Sequence, residues 1–228
     1  LNIGNPASFG FRAPADLLRT YVDRLTNAQG YSESRGLLSA RLAIAKYCRE
    51  KGMSPYSTDA IYTGNGVSEM ILMSMQALLE NGDEILVPSP DYPLWTAAVR
   101  LAGGRAVHYL CDEAVGWTPD LQDMERKITR RTRGIVLINP NNPTGALYPA
   151  AVLSAMGTLA RRHGLILLSD EIYDRLVLDG STHVATAAAA PDVPVVCYNG
   201  LSKSHLVSGF RCGWMCLCGD WSRHSGFI

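Results

Sequence analysis

The sequence predicts an α/β protein built on a seven-stranded, mainly parallel sheet that is flanked by helices. Short apolar runs alternate along the chain with amphipathic stretches, which is the pattern of repeated strand–helix units. Clusters of polar residues also follow four of the apolar runs directly. Because ligands of open α/β sheets bind outside the carboxyl ends of the strands, this second observation predicts a binding crevice at one edge of the sheet.

Apolar and β-branched runs mark the predicted strands, and amphipathic stretches mark the predicted helices. The strands are residues 61–63, 84–87, 106–109, 135–138, 165–168, 193–198 and 214–217. The helices are residues 37–51, which Gly52 ends, and residues 67–79, 93–102, 120–127 and 149–163. We expect residues 31–228 to form one domain, which residues 1–30 precede as an N-terminal segment.

The composition is that of a globular chain with a sizeable core. The 228 residues are 47% hydrophobic and 18% charged, and the formal net charge is zero. No large basic cluster is present, so we expect no nucleic-acid partner. No apolar run approaches the ~18 residues that span a bilayer, and the start lacks a signal-peptide pattern, so we expect no membrane partner. The chain begins with Leu1, so a leader could have preceded it.

Cysteine usage indicates a reducing compartment. The six cysteines lie at positions 48, 111, 197, 212, 216 and 218, with no CxxC pair and no histidines at zinc spacing. We therefore expect reduced, mostly buried thiols, no metal site and a cytoplasmic location.

The polar clusters that follow the apolar runs contain the candidate functional residues. They are residues 88–93, 139–145, 169–173 and 199–211. The last cluster places Lys203 in a glycine-framed turn after a strand, where a lysine amine can act as a covalent cofactor anchor. The other lysines, at positions 46, 51 and 127, lie on predicted helices and are expected to be solvated.

Together these motifs resemble the class I/II pyridoxal-phosphate-dependent aminotransferases of fold type I. The resemblance runs from Leu1 to about Trp214, and the stretches 2–6 and 213–215 are similar in particular to the bacterial glutamate–pyruvate (alanine) aminotransferases. It implies that residues 31–228 are the large domain, which binds pyridoxal 5'-phosphate. It also implies that residues 1–30 contribute to the substrate site and the small-domain side, and that a C-terminal small domain is missing, as in a fragment.

The resemblance implies a catalytic role for three residues. Lys203 would form the aldimine with the cofactor and then move a proton between substrate and cofactor. Asp170 would keep the pyridine nitrogen protonated, and the alternative is a helix N-cap. Tyr173 would direct its phenol to the O3′ oxygen of the cofactor, and the alternative is a core tyrosine with a satisfied hydroxyl.

Two further residues match positions that contact the cofactor ring. Asn142 matches the asparagine that shares O3′ with the tyrosine and also belongs to the substrate site, while a turn-forming role is compatible with this. Tyr92 matches the aromatic residue that stacks on the ring, and the alternative is a loop plug. The resemblance also implies a cis bond at Asn142-Pro143, with Ser89-Pro90 as a second candidate.

The phosphate would bind where Gly66, Val67 and Ser68 open a helix, because the first amides of a helix attract anions. A plain glycine turn is the alternative. Arg211 matches the phosphate-binding arginine. Ser202 is a less certain ligand, because the family's serine lies three residues before the lysine, where this chain has Gly200.

Two residues concern substrate and partner. Gly4 matches the glycine whose amide touches the substrate carboxylate, and the alternative is a turn glycine. Tyr31 matches the tyrosine that reaches the phosphate of the other subunit, which implies a homodimer with a shared active site.

The function that these features imply is transfer of an amino group between an amino acid, alanine first, and 2-oxoglutarate or pyruvate. A lyase or cyclase that uses the same cofactor is an alternative. A third possibility is a catalytically inactive fragment that keeps the cofactor pocket, because the arginine that grips the substrate carboxylate normally lies far beyond Ile228.

Overall fold

A computed structural model of the chain describes residues 5–224 and 226. The strands in this part of the chain are β1 (Ile61–Asn65), β2 (Glu84–Ser89), β3 (Arg105–Asp112), β4 (Thr118–Pro119), β5 (Thr132–Ile138), β6 (Ile166–Asp170), β7 (Val195–Gly200) and β8 (Cys212–Cys218). The α-helices are α1 (Ala15–Arg24), α2 (Leu38–Glu50), α3 (Val67–Leu78), α4 (Pro93–Leu101), α5 (Leu121–Lys127), α6 (Ala150–His163), α7 (Thr186–Ala189) and α8 (Leu201–Ser204).

The strands form one mixed sheet in the order β1-β8-β7-β6-β5-β2-β3-β4. Neighbours from β7 to β3 pair in parallel, whereas β8 is antiparallel to both β1 and β7. All seven predicted strands are present. The eighth, β4, is a two-residue strand antiparallel to β3 at the sheet edge and is too short for any periodicity to reveal it.

Helices cover both faces of the sheet, which explains why its central strands are apolar throughout. In β5, Ile135 and Leu137 pack into one buried cluster with residues of α2, α5 and α6. Val136 and Ile138 point to the opposite face and pack with residues of α3 and α4. The alternation of side chains along a strand thus divides the core into two layers.

The antiparallel direction of β8 brings two distant segments to the same edge of the sheet. β7 ends at Gly200, and β8 begins beside it, since Gly200 pairs with Gly213. Arg211, immediately before β8, therefore lies at the edge where the parallel strands end and where α8 carries Lys203.

Three backbone segments touch at this edge because glycines leave room for them. A Cβ atom on Gly213 would lie 2.5 Å from both Gly66 C and Val67 N at the start of α3. A Cβ atom on Gly200 would lie 2.7 Å from the Cys212 carbonyl oxygen. No side chain fits at either position without moving the backbone that it meets.

We predict that Gly213→Ala destabilises the protein, because the added methyl group collides with the start of α3. Overpacking of this kind costs about 1 to 3 kcal/mol of unfolding free energy, measurable by urea denaturation. Gly209→Ala is the matched control, since a Cβ atom there meets nothing within 4 Å. Equal stability of the two variants would show that the edge tolerates separation of these segments.

Candidate active site

Lys203 lies on the four-residue helix α8, directly after β7. Its side chain is half-buried, and its Nζ atom lies 5.8 Å from the centre of the Tyr173 ring. Burial lowers the pKa of Lys203, the positive charge of Arg211 lowers it further, and the carboxylate of Asp170 opposes both effects. The amine is therefore neutral more often than that of a surface lysine, which favours nucleophilic attack.

Asp170 is the last residue of β6 and is almost fully buried. Burial raises its pKa to about 6, although the Ile172 amide donates a hydrogen bond to Oδ1 at 3.3 Å and the charge of Lys203 favours ionisation. Trp95 of α4 is close enough to lower this pKa, but its buried Nε1–H has no hydrogen-bond partner among the described residues. The protein groups around Asp170 thus only partly replace the solvation that its carboxylate loses on burial. A positively charged ligand atom would supply the rest.

Two predicted tyrosines, Tyr92 and Tyr173, belong to the segments that follow β2 and β6. Tyr173 is half-buried, and burial together with the nearby charges of Asp170 and Tyr92 raises the pKa of its phenol. Tyr92 precedes α4 and its side chain is exposed, which leaves its ring free to contact a ligand. The structure therefore brings both predicted tyrosines to the edge that carries Lys203.

The predicted anion site forms where β1 turns into α3. Gly66 has a φ of 88°, and the amides of Val67 and Ser68 are in the first helical turn, where they have no intrahelical acceptor. The Arg211 guanidinium lies over this turn and donates to the Asn65 carbonyl at 3.1 Å and the Ser208 carbonyl at 2.9 Å. A Cβ atom on Gly66 would lie 2.5 Å from Arg211 Nη2, so glycine keeps the space for the guanidinium open.

Asn142 is half-buried in a loop that its neighbours hold rigidly. Asn141 Oδ1 accepts hydrogen bonds from the amide and the hydroxyl of Thr144 at 3.2 and 2.9 Å, and Asn139 Oδ1 accepts one from the Tyr148 amide at 2.9 Å. The bonds Ser89-Pro90 and Asn142-Pro143 are cis as expected, and Asn139-Pro140 is cis as well.

The remaining predicted residues are placed less centrally. Ser202 is half-buried on α8 beside Lys203, after Gly200. Tyr31 is fully exposed in this single chain, and its side chain is not part of the buried core. Gly4 lies outside the described residues.

The site also contains residues that the sequence did not single out. Trp95 belongs to the apolar face of α4 and has the pattern of a core residue, although it lies beside Asp170. The prediction that the other lysines are solvated is right for Lys46 and wrong for Lys127, whose Nζ donates to the His108 carbonyl at 2.7 Å. It is also wrong for Lys51, whose Nζ lies 3.1 Å from the buried Asp174. Only the packing of α2 against the turn after β6 brings that pair together.

Glu171 is a second buried carboxyl group in the same turn. It accepts hydrogen bonds from the Thr186 amide and the Ser169 hydroxyl, both at 2.9 Å, and lies 3.8 Å from the buried His183. Burial raises the pKa of Glu171 to about 7, and burial lowers the pKa of His183. Both shifts disfavour the charged form of the group concerned, so neither favours a charged Glu171–His183 pair.

All six cysteines are free, as expected, and five of them are buried. No group of three or more potential metal ligands is found among residues 5–224 and 226. Within the same part of the chain, no helix is long and apolar enough to cross a membrane.

Taken together, the edge of the sheet offers a lysine amine with a lowered pKa, a buried carboxyl group and an anion site built from helix amides and an arginine. This combination can bind a phosphorylated aromatic aldehyde covalently through the lysine and stabilise positive charge on its ring.

The chain is similar to known proteins over its whole length. The model of the family "Aminotransferase class I and II" matches residues 7–224. The chain is 54% identical over its whole length to an alanine aminotransferase of Mycobacterium tuberculosis and 55% identical to the glutamate-pyruvate aminotransferase AlaA of Escherichia coli. It spans 53% and 56% of these two relatives, which is about half of their length.

Solved structures give the same result. A crystal structure of an aminotransferase from Escherichia coli superposes with a TM-score of 0.97 at 55% identity. The match covers the whole of this chain and 56% of the other.

We predict that the cofactor-free chain loses stability as the pH rises from about 4.5 to 7. The pKa of Glu171 is about 7 in the folded protein against 4.5 ordinarily, and that of Asp170 about 6 against 3.8. At these two carboxyl groups the folded state therefore holds protons that the unfolded state has released, so their contribution to the free energy of unfolding falls with rising pH across this window. His183, whose pKa burial lowers, contributes in the opposite direction.

Urea denaturation at a series of pH values measures this slope. Glu171→Gln should flatten a large part of it, whereas the exposed control Glu113→Gln should keep it. A slope unchanged by Glu171→Gln would contradict the assignment of the raised pKa to this residue.

Proposed function

Because this chain belongs to the class I and II aminotransferases, we propose that the protein uses pyridoxal 5'-phosphate to transfer an amino group from an amino acid to a 2-oxo acid. Alanine and 2-oxoglutarate, with pyruvate and glutamate as products, are the proposed substrates, in keeping with the names of its relatives. The observation that carries the proposal is that Lys203, Asp170 and Arg211 meet at one sheet edge. The proposal concerns the protein of which these 228 residues are all or part.

The residues at this edge fit the proposed cofactor. The poorly compensated carboxyl group of Asp170 suits a protonated pyridine nitrogen, because a cation there would replace the lost solvation. The amides of Val67 and Ser68 at the start of α3, with the Arg211 guanidinium over the same turn, suit a phosphate. Ser202 would be an additional phosphate ligand.

Each remaining residue has a role that follows from its chemistry. When bound, the cofactor supplies an electron sink for bond cleavage at the substrate α-carbon. Lys203 would hold it covalently and then, as a free amine, move the proton of that carbon. Asp170 would keep the ring nitrogen protonated. Tyr173 and Asn142 would hydrogen-bond the ring oxygen, and Tyr92 would cover the ring face.

A lyase or cyclase function is not favoured, because the relatives that match the whole chain at 54% and 55% identity are named aminotransferases. Gly4, together with Asn142, remains our proposal for contacts with the substrate carboxylate.

We further propose that residues 1–30 contribute to the substrate side of the site, that residues 31–228 form the cofactor-binding domain and that the protein is a cytoplasmic homodimer. Free thiols support the compartment. Tyr31, exposed in the single chain, would reach the phosphate site of the partner. Exposed apolar side chains between residues 9 and 42 support a covered surface in the dimer, namely Phe9, Phe11, Tyr21, Val22, Leu25, Leu37, Leu38 and Leu42.

The proposed activity is tested with the full-length protein, pyridoxal 5'-phosphate, 2-oxoglutarate and a panel of amino acids. We expect the highest kcat/KM with alanine, and we expect borohydride to fix the cofactor on the peptide that contains Lys203. Lys203→Ala should abolish both signals, whereas the exposed Lys46→Ala should keep them. A cofactor adduct on another lysine would refute the role of Lys203.

We predict that Asp170→Asn retains cofactor absorbance but forms pyruvate from alanine roughly a thousandfold more slowly in a single turnover, about 4 kcal/mol of barrier. A neutral amide cannot hold the proton on the ring nitrogen. The exposed Asp179→Asn is the control. Equal single-turnover rates for Asp170→Asn and the unmodified protein would remove Asp170 from this role.

A further inference from the structure

A series of hydrogen bonds links two turns of the site, and the proposed reaction does not use these groups. Asp174, directly after Tyr173, has a side chain that is only 2% exposed. The Tyr47 hydroxyl, from α2, donates a hydrogen bond to Asp174 Oδ2, and Lys51 Nζ lies 3.1 Å from the same oxygen. A buried carboxylate is thus compensated by a side chain of α2 and by the lysine that directly follows this helix.

The series continues from Tyr47 to the strand that precedes Lys203. Asn199 Nδ2 donates to the Tyr47 hydroxyl oxygen at 3.3 Å, and Asn199 Oδ1 accepts a hydrogen bond from the Gly200 amide at 2.7 Å. Gly200 is the residue from which α8 starts. One phenol therefore connects the turn that holds Tyr173 to the turn that holds Lys203.

The Tyr47 hydroxyl is fixed as a donor toward Asp174. Burial raises its pKa, and the hydrogen bond to Asp174 raises it further, so the phenol keeps its proton. The ring is held from two sides, by the edge of Trp214 at 6.1 Å between ring centres and by the Arg175 guanidinium at 5.2 Å from the ring centre. Rotation of the ring away from Asp174 and Asn199 would break both contacts.

We propose that Tyr47 is a positioning residue, which through Asp174 and Asn199 sets the place of the Lys203 turn relative to the Asp170–Tyr173 turn. This role rests on the proposed function, because it affects the reaction only if Lys203 is the reacting amine. Tyr47 itself takes no part in the chemistry. The contacts favour it over simple packing, because the hydroxyl is bonded to both turns at once.

The test removes the hydroxyl and keeps the ring, in the full-length protein. Tyr47→Phe should loosen the Lys203 turn and let water reach the amine, which burial now shields. We expect the pH midpoint of Lys203 acetylation, followed by mass spectrometry without cofactor, to rise by about 0.5 or more. With cofactor, kcat should fall about tenfold at nearly constant KM for alanine, because the misplaced amine affects the reaction and not substrate binding.

Tyr109→Phe is the matched control. It also deletes a buried hydroxyl, one that donates to the Val136 carbonyl at 2.8 Å in the core away from the site. Thermal unfolding should show comparable stability losses in both variants, and only Tyr47→Phe should shift the Lys203 midpoint. The same shift in Tyr109→Phe, or none in Tyr47→Phe, would overturn the proposal.

Asn199→Ala interrupts the series at its other end and should shift the midpoint in the same direction. In the double variant with Tyr47→Phe the shift should be no larger than with Asn199→Ala alone, because the phenol acts through Asn199. Additive shifts would refute this connection. Failure of the proposed function would look different, since borohydride would then fix the cofactor elsewhere, whereas the acetylation midpoint is read without cofactor.

Discussion

The close approach of three backbone segments at Gly66, Gly200 and Gly213 is the constraint on which the rest of the site depends. Gly213 pairs with Gly64 on one side and with Gly200 on the other, so β8 holds the ends of β1 and β7 at a fixed separation. This contact places Arg211 over the start of α3 and keeps Lys203 one helical turn away from the sheet. The positions of the charged groups thus follow from the absence of side chains at three neighbouring positions.

The turn after β6 shows three ways to bury a carboxyl group within five residues. Asp174 is compensated inside the protein by Tyr47 and Lys51. Glu171 accepts hydrogen bonds from uncharged donors, which do not offset its burial, and burial raises its pKa to about 7. Asp170 has the weakest internal compensation and faces Lys203, which is the arrangement expected of a group that awaits a ligand.

Much of the fold and part of the site could be predicted from the sequence. Strands buried on both faces are continuous apolar runs, so β5, β6 and β7 were evident, and the polar residues after them marked the edge. Contacts between residues that are distant in the chain leave no periodic pattern in the sequence, so they could not be predicted from it. Trp95 resembles any core residue, and Lys51 resembles a solvated helix end until α2 packs on Asp174. Gly4 lies outside the described residues, and the role proposed for Tyr31 requires a partner chain.

The burial of the cysteines has a consequence for chemoselectivity. Thiols compete with amines for aldehydes, and Cys212 directly follows Arg211 at the edge of the site. Burial raises the pKa of the Cys212 thiol while burial lowers the pKa of the Lys203 amine. Desolvation therefore suppresses the thiolate and increases the neutral amine, since each change removes a charge. At this edge an aldehyde would therefore meet a thiol whose reactive thiolate is disfavoured and an amine whose reactive neutral form is favoured.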